Sequence, residues 1–216
     1  MKDYEDEKRF SPGKLFKWAL IALSLAVYIF GIYVLISTRD PHEATDFVWT
    51  PEALSEYRAD PDGFEIYRLE VMTNFTHDGK FFAIDTRYVP SLSQIQFAVK
   101  LNNSTLRALE EEYGLNENTL TADDLYFTLD DGRGNEFTQY RYLDCTAIRH
   151  TYKRLVFDGV PLTGVDVLTL RIYCAKDPDV PCGEIAIYRS EYQSKLYGLK
   201  RRERPTDTMT QSDGLH

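Results

Sequence analysis

Hydrophobic and polar positions along the chain fall into three regimes. Over residues 18–37 (WALIALSLAVYIFGIYVLIS) twenty consecutive residues carry no charge, with Lys17 before the run and Arg39 after it. As a helix this run rises about 30 Å, the thickness of a bilayer's hydrocarbon core, and a helix satisfies its own backbone N–H and C=O groups in lipid. Trp18 and Tyr33 sit near its two ends, where amphipathic rings settle at membrane interfaces. A core helix of a soluble domain would show a polar stripe over this length. The run exceeds the apolar core of a cleaved signal peptide, about 7–15 residues, and no Ala-x-Ala pattern follows. The reading is a single transmembrane signal-anchor helix.

Residues 38–63, punctuated by Pro41, Pro51 and Pro61, read as a tether. Within it 50–57 is predicted as a short helix, with Thr50 as N-cap, Pro51 at the first helical position and Glu52 in the first turn. Asp60-Pro-Asp-Gly63 follows as a turn.

From Phe64 the alternation changes to period two. Strands are predicted at 64–72, 81–88, 94–101, 125–129, 136–142, 152–157, 165–174 and 184–189, the first two joined through Asp78-Gly79 as a hairpin. One helix interrupts: Leu106, Leu109 and Tyr113 share a face, Gly114 stops it, and Glu110, Glu111 and Glu112 are expected on the solvent side. Helices do not alternate with strands, which argues against a parallel α/β sheet. The predicted class is mainly β: an antiparallel β-sandwich over 64–195, immunoglobulin-like or jelly-roll-like, with one inserted helix. The Cys…Trp…Cys spacing of immunoglobulin domains is missing, since the two Trp are Trp18 and Trp49. Residues 196–216 are polar and aperiodic and are expected to be a disordered tail.

Charge supplies the orientation. Lys8, Arg9, Lys14 and Lys17 precede the span, and only Arg39 follows closely. Positive charge stays cytoplasmic, so 1–17 is expected inside and 38–216 outside the cell membrane. Residues 40–216 carry 30 acidic against 19 basic side chains, a balance that opposes a nucleic-acid partner. Within the span, Ala22 and Ala26 are four apart, a spacing that lets two helices approach closely and self-associate.

Candidate chemistry is sparse. Cys174 and Cys182 flank a predicted hairpin and are expected to form a structural disulfide in an oxidising compartment; Cys145 reads as a buried apolar thiol. The acidic loops 60–63 and 130–136 lack the ligand spacing of a calcium loop, and no metal or cofactor is expected. No nucleophile elbow, metalloprotease helix or phosphate-cradling glycine loop is present. One basic, aromatic region stands out in the acidic domain: Tyr140, Arg141, Tyr142, Arg149, His150, Tyr152, Lys153 and Arg154. On one exposed face these would bind a carboxylate or polyanion through guanidinium forks and ring stacking. Asn74-Phe-Thr76 and the overlapping sequons at Asn102 and Asn103 matter only in a eukaryotic secretory pathway; the short cytoplasmic stub and sparse cysteines fit a bacterial envelope. The expected role is a type II single-pass membrane protein displaying a non-catalytic domain that binds a protein or polyanionic envelope partner. The alternatives are an accessory subunit of a larger membrane complex and a surface hydrolase.

Overall fold

The structure, a computed structural model, describes residues 12–70, 74–76, 78–116, 120–148, 150–192 and 194–205. The chain divides into two compact units, residues 1–39 and 40–216.

In the first unit, α1 (Pro12–Thr38) runs as one helix of 27 residues, about 40 Å long. It is long and apolar enough to cross a membrane, and none of its most apolar window is buried. Trp18, Leu23, Val27, Phe30 and Leu35 are all more than half exposed. A helix in the core of a soluble domain would be covered.

The second unit begins with α2 (His42–Thr45) and α3 (Pro51–Ala59). Thr50 caps α3, its hydroxyl oxygen accepting from Ala53 N at 3.2 Å. Two antiparallel sheets follow. The first orders β10 (Ser194–Leu196), β1 (Tyr67–Leu69), β2 (Phe81–Val89), β3 (Gln94–Asn102), β7 (His150–Phe157) and β6 (Arg141–Thr146); the second orders β5 (Glu136–Phe137), β4 (Leu125–Asp130), β8 (Val167–Cys174) and β9 (Asp177–Arg189). Both contribute alternate residues to one core. Phe81, Ile95, Phe97, Val99, Leu101, Leu155 and Phe157 of the first sheet share a cluster with Leu125, Phe127, Leu129, Leu168, Leu170, Ile172 and Ile185 of the second.

α4 (Asn103–Glu112) lays Leu109, fully buried, on this core. It ends where Gly114 takes φ +63, and Leu115 N donates to Glu110 O at 2.8 Å. Glycine adopts that left-handed conformation at the least steric cost.

Four expectations need correcting. Residues 40–63 are no free tether: Phe47, Ala53, Ile66 and Val89 form a second apolar cluster, and Ala44 packs with Ala98 and Tyr152. These contacts cover the outer face of the six-stranded sheet, so β3 is buried on both faces. The predicted strand 136–142 splits, with β5 in one sheet and β6 opening in the other, because the chain crosses between sheets after Phe137. Glu110 is not on the solvent side but buried, its carboxylate accepting from Leu120 N at 2.8 Å. The expected disordered tail is ordered at its start: β10 extends the sheet, and Tyr197 and Leu199 join the second apolar cluster. Residues 206–216 of that stretch lie outside the described residues.

Candidate functional site

The basic, aromatic region maps to the hairpin of β6 and β7, paired from Arg141↔Val156 to Thr146↔Thr151. Strand alternation sends its neighbours to opposite sides. Tyr140 turns inward against Phe127 and Phe157, at ring distances of 5.8 and 5.2 Å. Lys153 is buried, its ammonium 4.1 Å from the Tyr142 ring and paired with Asp123 at 2.9 Å. Tyr152 and Arg154 face the other way, both with no exposed surface. Arg141 remains accessible and bridges Glu52 at 3.1 Å and Asp158 at 2.6 Å. Together with Gln139, Tyr140 and Asp158 it lines a cleft of about 450 Å³. Arg149 lies outside the described residues. The single exposed face expected from sequence is therefore not assembled. An open polar cleft around Arg141 remains of it.

Burial gives Arg154 a different environment from the one expected. It donates to Ala44 O at 3.3 Å and Asp85 O at 3.2 Å, and its Nε and Nη2 meet no acceptor among the described residues. Desolvation, reinforced by the neighbouring Arg87 guanidinium, pushes its pKa down to about 10. Arg87, also fully buried, donates to the Asp85 carboxylate, the Thr45 carbonyl and the Tyr197 hydroxyl, and pairs with Glu203 at 3.1 Å. Two guanidinium groups and two carboxylates thus share one largely buried compartment on the outer face of the sheet.

Glu203 joins the two ends of this unit. Its carboxylate accepts from Phe47 N at 3.2 Å, Lys200 N at 2.8 Å and the Tyr197 hydroxyl at 2.8 Å, while its carbonyl accepts from Trp49 Nε1 at 2.6 Å. Burial works to raise its pKa, but the Lys200 and Tyr197 hydrogen bonds and the Arg87 and Lys200 charges together hold it below the usual value. Arg202 adds a bidentate pair with Asp46 at 2.9 Å. Sequence reasoning missed this clasp, since Arg87, Asp85 and Glu203 are scattered over 118 positions of the chain. In the structure Asp85 holds φ +54 where the β2–β3 register shifts between Ile84 and Arg87, an irregularity that no motif around it announces.

A second opening lies on the same outer face, beyond the cover. Phe82, Ile84, Lys100, Asn102 and His150 line a cleft of about 260 Å³. Lys100 and Tyr152 both bind the Asp40 carboxylate, at 2.7 and 2.8 Å.

The three cysteines are free thiols, so the expected Cys174–Cys182 bridge is not formed. Cys174 pairs with Asp177 at the hairpin end, whereas Cys182 falls at an irregularity opposite Ile172 and Tyr173, out of direct register. Burial and the adjacent Cys174 push the Cys182 thiol up to about 12; burial and the charges of Glu43 and Asp144 push Cys145 up to about 11. No three His, Cys, Asp or Glu side chains converge on a metal position among the described residues. The chain matches no protein-family model, no curated protein and no solved structure.

Proposed function

We propose that this chain is a type II, single-pass membrane protein that holds a non-catalytic β-sandwich outside the cell membrane, where it binds a partner. The observation that carries this reading is the exposure of the most apolar stretch of α1, an apolar surface that water does not tolerate and lipid does. The sandwich assignment rests on the shared core of the two sheets. Its six-plus-four division of strands is larger than the roughly seven to nine of an immunoglobulin sandwich or the eight of a jelly roll. The partner-binding role rests on the Arg141 cleft: guanidinium and carboxylate are paired there at the surface, and an incoming carboxylate can exchange for Glu52 or Asp158.

Protease digestion of intact cells tests the topology. Residues 40–205 are expected to be digested from outside; their survival until the membrane is opened would overturn it. Arg141→Glu is expected to abolish partner retention while leaving membrane insertion intact.

The alternative is an accessory subunit of a larger membrane complex. Purification in mild detergent separates the two, because an accessory subunit brings a membrane-embedded companion in fixed stoichiometry.

A further inference from the structure

We propose that Arg87 and Arg154, on the outer face of the six-stranded sheet, bind a small monovalent anion of chloride size inside the second unit. The site lies wholly within that unit and is independent of α1 and of the Arg141 cleft.

Three observations carry it. The first is unpaired donors. Neither guanidinium group has exposed surface. Arg154 commits only Nη1, to Ala44 O at 3.3 Å and Asp85 O at 3.2 Å. Its Nε and Nη2 meet no acceptor among the described residues, and neither does Arg87 Nε. Both groups converge on Asp85, Arg87 on its carboxylate and Arg154 on its carbonyl, so these N–H groups share one neighbourhood. A buried donor without an acceptor is costly, and more so on a charged group.

The second is charge. Asp85 and Glu203 both pair with Arg87, and no carboxylate pairs with Arg154 among the described residues. The rim adds two further cations: Arg68, 3.9 Å from Asp85, and Lys200, whose charge acts on Glu203. Four cations therefore face two carboxylates, the reverse of a unit with 30 acidic against 19 basic side chains. A pKa of about 10 still leaves Arg154 cationic at neutral pH. A buried cation needs an opposite charge.

The third is the setting. Ile84, Ala98 and Arg154 lie in one row across β2, β3 and β7, and Arg154 reaches over Ala98 to β2. Ala98 packs with Ala44, both fully buried. Two methyl groups bring no acceptor to the guanidinium edges, and so enclosed a place admits only a small ligand. Water would satisfy the same N–H groups, but it brings two hydrogens of its own and no charge. A halide only accepts, and it carries the charge that Arg154 lacks.

The test unfolds the full-length chain thermally in mild detergent, at fixed ionic strength, as chloride replaces the bulky anion gluconate. Excess broadening of the chloride NMR line is read on the same samples. A saturable rise of several degrees in the midpoint is expected, together with excess broadening. Arg154→Gln is expected to lose both responses, and Arg171→Gln, on the four-stranded sheet, to keep both. Should Arg154→Gln fail to fold, Arg154→Lys keeps a charge without the planar fork of donors and is expected to weaken chloride binding several-fold. Equal midpoints in chloride and gluconate without excess broadening, in the unaltered chain, would overturn the proposal and leave these donors to water. A chloride response unchanged in either Arg154 variant would overturn it as well.

Discussion

Glu203 receives three polar hydrogens and faces a guanidinium that has no exposed surface. Replacing it by Ala leaves Arg87 charged, buried and short of its partner, and breaking a buried pair from one side costs about 3–5 kcal/mol. That loss is the expected outcome in urea unfolding of the full chain in mild detergent, followed by near-ultraviolet dichroism. The pH dependence has a definite sign. The folded-state pKa of Glu203 lies below the ordinary glutamate value, so its stabilisation is present in full above the ordinary range and is lost as pH falls through the folded value. Acid titration should therefore loosen the clasp on the low-pH side of about 4.5, and Glu203→Gln should flatten that part of the curve. The thiols make a separate prediction at this scale. With Cys145 pushed to about 11 and Cys182 to about 12, thiolate is scarce at pH 8, so alkylation of the folded protein should be slow and should accelerate on unfolding. At this scale the sequence misleads in a specific way: Tyr152, Lys153 and Arg154 are adjacent in the chain, yet alternation along β7 sends Lys153 to one side and its neighbours to the other.

Elements show the converse. Periodicity locates β2, β3, β4, β7 and β8 closely, because each alternates or runs apolar against the shared core. The short helix α3 follows from its own cap and proline. What periodicity does not reveal is the cover on the outer face. Gln94 and Gln96 read as the wet side of a strand, but Gln96 exchanges hydrogen bonds with Val48 N and O at 3.0 and 2.9 Å, and Gln94 binds Thr50 Oγ1 at 3.1 Å. An amide side chain satisfies an aperiodic backbone as well as water does, so the contact leaves no pattern in the sequence. β10 was missed for a similar reason, its three residues being exposed and too few for a period. Thr50→Ala removes both the helix cap and the partner of Gln94 and should cost about 1–2 kcal/mol in the same unfolding experiment. Ser93 is strained in the opposite sense. It holds φ +47 after the turn Pro90–Leu92, so Ser93→Gly should raise stability by up to about 1 kcal/mol. In α1, Ala22→Leu with Ala26→Leu should abolish helix association in a membrane two-hybrid assay, and an unchanged signal would rule out that stripe as a contact face.

The whole molecule joins a largely exposed apolar helix to a domain in which residues 46–49 and 197–203 are clasped together by Glu203 and by the Arg202–Asp46 pair. The clasp explains why residues 40–49 are ordered immediately after the helix: they are held between the six-stranded sheet and the segment 197–203. The proposed function depends on α1 lying in lipid. The most direct test is alkaline carbonate extraction of membranes carrying the full-length chain, followed by high-speed centrifugation. The full-length chain is expected in the pellet, and a variant lacking residues 12–38 in the supernatant. Quantitative release of the full-length chain into the supernatant would contradict the account.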